Sequence, residues 1–388
     1  MLETHAYSRS EEGADEAERI LERMEDADND FVAKPNEETY MCVMDAWAIR
    51  HQPLKAKAIL ERQESPSVKS YNKLIKAFGM DGDLEQAEST FRSILEQGTA
   101  NHKSWVQLMK AAASDDDDSV QAYFDELQEK GIEPETDAYN VLIRSVGKSK
   151  SYSEAEAILF EMIASYREGD EQKKPNTGTF RSLLTVYKAQ GSRQNPASAA
   201  KVEQLLQFME GLVTPQELEE SSDTTAIFRM ALELIMLSKD SKKASKANRI
   251  LSKLHSPTHD MCVSVLKACA STYGNADTKH EAFQVALGVI KDLRANGQST
   301  SSTTGLFLQV CHRLMPQGSK RDDLVIKIFN DCSDEGLVSE FVLDEFEAAT
   351  TEAIQLEVLG GFGVDGGSVP ESWSRNVVAP VEQKNKNE

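Results

Sequence analysis

A bulky residue returns at a near-constant interval along this 388-residue chain, and that recurrence limits the fold more than any other feature. Tyr40, Tyr71, Trp105, Tyr139, Phe180 and Phe228, then more weakly Cys262 and Thr304, are separated by 31, 34, 34, 41, 48, 34 and 42 residues. Periods of this length belong to stacked helical hairpins. Residues 68–101 show the unit. Tyr71, Leu74, Ile75 and Phe78 fall at helical spacing, and Asp81-Gly82-Asp83 then turns the chain. Leu84, Ala87, Phe91, Ile94 and Leu95 resume the period until Gly98 stops it. Two short antiparallel helices cannot bury both faces alone, so each hairpin requires a neighbour stacked against it. Polar insertions at 167–174, 191–198 and 214–223 account for the longer spacings, because an insertion can bulge from a stack without shifting its core. The sequence predicts an all-α repeat protein.

Along the chain, Ala17, Ile20, Leu21 and Met24 read as an orphan second helix, so the start is either a fragment boundary or a misplaced initiator. Hairpins follow from Glu37, Val68, His102, Thr136 and Thr177. A poorer one pairs 228–237 with 247–254. The seventh pairs 263–270 with Ala286, Ile290 and Leu293, and the eighth pairs 306–314 with Val325, Ile328 and Phe329. A single capping helix is expected over 341–359, with everything beyond it loosely ordered. The expected division is a partial repeat and exit loop over 1–36, the repeat array over 37–340, and the cap and tail over 341–388.

Charge and motif content narrow the chemistry. The chain carries 43 Lys and Arg against 64 Asp and Glu, a formal charge of −21 that argues against a strong electrostatic grip on phosphate. The acidity sits at the ends: residues 1–38 hold 13 acidic and 4 basic side chains, residues 333–388 hold 12 and 3, and a net of −3 remains between them. The array is therefore read as nearly neutral. Cys42, Cys262, Cys269, Cys311 and Cys332 are scattered without close ligand spacing, which reads as reduced, buried thiols. His255 and His259 lie near Cys262, but Pro257 between them spoils presentation on one helical face, and no metal site is expected. Asp115–Asp118 reads as an exposed turn, and Gly361, Gly363 and Gly366 match a dinucleotide fingerprint in letters alone. No catalytic signature emerges, so the chain reads as a non-enzyme without cofactor. No apolar run approaches a membrane span, and no targeting segment is visible.

The residues inside the repeats carry a family resemblance. Thr136-Asp-Ala-Tyr139-Asn140-Val-Leu142-Ile143 is followed by Ala155, Leu159, Met162 and Pro175-Asn176. Ser70-Tyr71-Asn72-Lys-Leu74-Ile75 is followed by Ala87, Phe91 and Gly98, and Phe124 to Glu135 closes another unit. This pattern resembles the pentatricopeptide repeat over roughly residues 12–340, strongly in the first half, and residues 369–377 resemble tails of some algal members. The rival tetratricopeptide repeat opens on Trp-x-x-Leu-Gly, which is absent.

The resemblance implies an all-α, right-handed superhelical solenoid of stacked antiparallel helix-turn-helix repeats. It further implies a single-stranded RNA-binding monomer, acting in RNA processing, stability or translation in a mitochondrion or plastid alongside other RNA-processing proteins. A protein-interaction scaffold is the alternative. The reading pair of each repeat is the residue after the aromatic and the final residue of the repeat. Asn72 with Asn101 and Asn140 with Asn176 fit pyrimidine-preferring pairs, an amide offering both donor and acceptor to a base edge. Met41 with Ser67 and Val106 with Glu135 depart from the code. Arg181, Arg229, Val263 and Gly305 hold the first position later, without convincing partners. Lys148 and Arg313 align with the family's phosphate-facing lysine, and few other Lys or Arg residues are expected on the inner helices.

Overall fold

A computed structural model of the protein describes residues 12–26, 34–115, 117–149, 151–191, 199–360 and 370–377. They are helical, with no strand among them. In chain order the helices are α1 (Gly13–Glu25), α2 (Glu37–Ile49), α3 (Pro53–Glu61), α4 (Val68–Asp81), α5 (Leu84–Glu96), α6 (His102–Asp115), α7 (Asp117–Glu129), α8 (Thr136–Ser149), α9 (Tyr152–Arg167), α10 (Thr177–Gly191) and α11 (Ala199–Leu212). They continue with α12 (Pro215–Glu220), α13 (Asp223–Leu237), α14 (Lys243–Leu251), α15 (His259–Ala270), α16 (Ala276–Ala295), α17 (Ser301–Leu314), α18 (Ser319–Glu335), α19 (Glu340–Ala349), α20 (Glu352–Leu359) and α21 (Glu371–Ser374). The chain divides into two compact units, one of Met1–Gln190 with Met209–Asp223, the other of Gly191–Phe208 with Thr224–Glu388.

In the first unit the leading helices of successive hairpins pack side by side, α2 on α4, α4 on α6 and α6 on α8. The second helices α3, α5 and α7 each cover their own partner and the leading helix that follows. The join between hairpins is aromatic: Phe91 of α5 meets Trp105 of α6 edge-on at 4.6 Å between centroids, and Phe124 of α7 meets Tyr139 of α8 at 5.1 Å. These pairs explain the recurring bulky residue, since each repeat's aromatic plugs the previous hairpin. Close approach of leading helices depends on small residues. A Cβ on Gly79 would stand 2.6 Å from Ala111 Cβ, and one on Gly147 would stand 2.2 Å from a Val186 methyl. Along the outer helices Arg92 bridges Glu88 and Glu126, tying α5 to α7. At the start, α1 buries Ala14, Ala17 and Leu21 against α2, while Arg62 holds Glu18 and Glu25.

The second unit repeats this arrangement with α15 on α17 and α17 on α19. Phe283 stacks on Phe307 at 6.1 Å, Phe329 meets Phe346 at 4.2 Å, and Arg294 bridges to Asp331. All five cysteines are free and buried.

Three local expectations need correction. The 214–223 insertion is not a plain loop. Thr214 and Glu217 form a reciprocal capping box around Pro215, which starts the short helix α12. The single cap over 341–359 is two helices, because Thr350 is extended (φ −120°, ψ 167°) and its hydroxyl donates to Phe346 O at 2.7 Å. Residues 370–377 are not loose. Val338 N–H donates to Trp373 O at 2.8 Å, Asn376 N–H to Gly336 O at 2.9 Å, and the Trp373 ring meets Phe329 edge-on at 5.7 Å. The Gly361–Gly366 fingerprint and the Asp115–Asp118 side chains lie outside the described residues.

Candidate nucleic-acid interface

The last residue of a repeat caps the next leading helix, contacts the leading helix of its own repeat, or does both. Asn101 Oδ1 accepts from Ser104 N–H at 3.1 Å and Asn176 Oδ1 from Thr179 N–H at 3.1 Å, so both cap the next leading helix. Ser67 caps α4 through Lys69 N–H at 3.1 Å, and its hydroxyl also donates to Glu37 one turn before Met41. The same cap therefore lies against the leading helix of its own repeat. Glu135 shows that second contact alone: its backbone N–H donates to His102 Nε2 at 3.0 Å, and its carboxylate stands 3.6 Å from His102 Nδ1. Desolvation holds the His102 pKa below the usual imidazole value despite that carboxylate.

Position by position, the residues that follow the aromatics differ. Asn140 is buried and its Nδ2 donates to Asn176 Oδ1 at 3.3 Å, so this pair is in direct contact. Asn72 is half-buried, and no such bond joins it to Asn101 among those formed. Asn72 Oδ1 and Asn140 Oδ1 are both buried without a hydrogen-bond partner, an arrangement that costs stability unless something else supplies a donor. Met41 and Val106 are buried and apolar. Arg181, which has no convincing partner in the code, forms an ion pair with Asp223 at 2.7 Å. Arg229 is exposed and Val263 half-buried. Gly305 is covered, since a Cβ there would lie 2.5 Å from the Phe341 ring.

The charge on this face differs from the expectation. Between α2, α4 and α6 runs a groove of about 900 Å³. Asn72 lines it, together with Lys69, Lys73, Lys76, Lys103 and Lys110. Asp45 pairs with Lys73 and stands 3.9 Å from Lys76. Lys69, Lys103 and Lys110 have no ion-pair partner among the described residues. The groove walls desolvate Lys110 and lower its pKa; Asp137 opposes that shift, while Arg144 and Lys76 add to it by repulsion. Cations gathered this way favour an anion between them. The signal was in the sequence: Lys76, Lys110 and Arg144 each stand five residues after an aromatic, in register with the repeat. Summing charge over the whole array hid them. Lys148 and Arg313 also share a register, and each reaches back to the preceding leading helix, Lys148 Nζ to Ala113 O at 2.7 Å and Arg313 Nη1 to Ala270 O at 3.5 Å.

Family models give the decisive observation. The PPR repeat matches residues 69–99 and 137–166, and the pentatricopeptide repeat domain matches 101–149. The chain carries pentatricopeptide repeats. These matches lie on α4 to α9, which include two of the groove's helices, α4 and α6, and carry Asn72 and Asn140. A chloroplastic pentatricopeptide repeat-containing protein of Arabidopsis thaliana is 28% identical over 175 residues, covering 41% of this chain and 32% of that protein. This chain thus spans about a third of that relative's length. Among solved structures, the maize pentatricopeptide repeat protein PPR10 superposes with a TM-score of 0.45 at 18% identity, over 93% of this chain and 50% of PPR10. Yeast Rmd9p, solved with a 16-nt target RNA, gives 0.43 at 14% identity over 92% of this chain and 73% of Rmd9p. No described helix is long and apolar enough to cross a membrane.

Proposed function

We propose that this protein binds single-stranded RNA across the leading helices of its first unit and acts by binding rather than catalysis. The observation that supports this most is the lysine-lined groove holding the unpartnered Asn72 carbonyl oxygen. Lysines satisfy phosphate charge without reading sequence, and the amides of Asn72 and Asn140 offer donors and acceptors to base edges. Capping fixes Asn101 and Asn176 beside the leading helices, so they present polar atoms at low entropic cost. Met41 and Val106 supply apolar contact without discrimination. The expected footprint is pyrimidine, an undiscriminated base, then pyrimidine. The chloroplastic relative supports an organellar role in RNA processing, stability or translation.

Selection from a random RNA pool at stated salt tests the reading. Replacing Lys69, Lys103 and Lys110 with Gln should weaken all sequences alike and flatten the salt dependence, by roughly 0.7 in log–log slope for each lost phosphate contact. Asn72→Ser with Asn101→Asp should change preference at one outer base, where a good contact is worth about 1–3 kcal/mol by analogy with DNA readout. Failure to retain any RNA at moderate salt, with recovery of a specific polypeptide instead, would return the protein-scaffold reading.

A further inference from the structure

A second groove, of about 840 Å³, lies wholly within the second unit, between the turn after α15 and the turn that joins α17 to α18. Its lining includes Lys279, His280, Arg313, Lys320 and Arg321 and no carboxylate. In a chain of formal charge −21 that composition needs a reason. Arg321 supplies the sharpest one. It is 6% exposed, its Nε is buried without a hydrogen bond, and the nearest carboxylate oxygen, on Asp322, stands at 3.9 Å. A buried guanidinium N–H left without a hydrogen-bond acceptor is costly, and an anion drawn to the Arg321 guanidinium from the groove offsets that cost.

The start of α18 adds donors on the same side. Gly318 occupies the cap position at φ 141° and offers no side-chain acceptor, so the N–H groups of Ser319 and Lys320 at the start of a 17-residue helix are left uncapped beside the groove. The glycine also leaves open space, with nothing within 4 Å of where a Cβ would stand. Lys279 enters from α16, and Arg313, which spends one N–H on Ala270 O at 3.5 Å, enters from the end of α17. Three elements thus aim donors at one place.

We infer that this groove is a binding site for a phosphate group, held by the Arg321 guanidinium and the α18 N-terminus and flanked by Lys279, Lys320 and Arg313. Guanidinium forks and helix N-termini both match phosphate oxygens in geometry and charge. The site lies in the other unit from the lysine groove and does not depend on the RNA reading.

Isothermal titration with inorganic phosphate, at ionic strength held constant with sodium chloride, tests it on the full chain. Saturable one-site binding is expected, weakened about tenfold or more by Lys279→Gln with Lys320→Gln, two substitutions outside the core. Arg321→Lys, its folding checked by circular dichroism, keeps the charge but loses the fork and should weaken binding as well. Lys57→Gln, exposed on α3 and outside both grooves, should leave phosphate binding unchanged. A 5′-phosphorylated oligoribonucleotide that displaces phosphate better than its 5′-hydroxyl twin identifies a nucleic-acid end as the source; equal displacement identifies free phosphate. No saturable binding, binding unaffected by the double substitution, or binding lost through Lys57→Gln would overturn the assignment.

Discussion

Asn101 and Asn176 show why single residues in this chain resist a single role. Each is read as a base contact by register and found as a helix cap by geometry, its Oδ1 committed to the N–H three residues on. A cap of this kind is worth about 0.5–2 kcal/mol. Asn101→Ala should therefore lower stability to urea by about 1 kcal/mol, while Asn101→Ser, which keeps an acceptor, should not. Equal stability of the two variants would remove the capping role. Glu217 gives a residue-scale test in pH. Its pKa is lowered to about 2, first by the backbone N–H of Thr214 and then by Lys174 and the Thr214 hydroxyl. A folded pKa below the unfolded value means the contribution is fully present above about 4.5 and is lost as pH falls toward 2. The protection factors of the α12 amides, taken against the intrinsic exchange rate at each pH, should fall across that window, and Glu217→Gln should abolish that fall.

At the scale of elements, the contact between leading helices is set by what is missing. Gly79 sits against the Ala111 Cα at 2.9 Å from an ideal Cβ, so backbone rather than a movable side chain meets any addition. Gly79→Val should cost about 1–3 kcal/mol by overpacking, even though glycine itself is a poor helix former. Ala87 and Ala155 are fully buried in the second helices, and Phe at either position should cost about 1–3 kcal/mol for the same reason. Thermal unfolding reads both, and an unchanged midpoint would show that the packing register is wrong. The helix boundaries came from apolar period and turn residues, which act locally and are legible in order along the chain. The α12 capping box and the extended break at Thr350 were missed because a polar stretch hides a cap and an apolar stretch hides a break.

Taken as a whole, the molecule buries its thiols. Burial pushes Cys269 and Cys311 up to about 12 and Cys332 to about 11. Iodoacetamide at pH 8 should leave all five cysteines unmodified in the folded protein and label all five in urea. Rapid labelling without denaturant would show that the units open readily. The repeat, the helix pairs and the buried thiols were determined by the sequence, because period and apolarity are summed along the chain and survive any arrangement in space. Which charges meet was decided only by the tertiary structure. Lys69, Lys76, Lys103 and Lys110 lie on two helices of two repeats, and stacking α4 on α6 brings them to one groove while the acidic ends stay in the average. Asn140 met Asn176 and Asn72 did not meet Asn101 for a related reason: the register names both pairs alike, but a hydrogen bond forms only where the backbone brings two amides within about 3.5 Å.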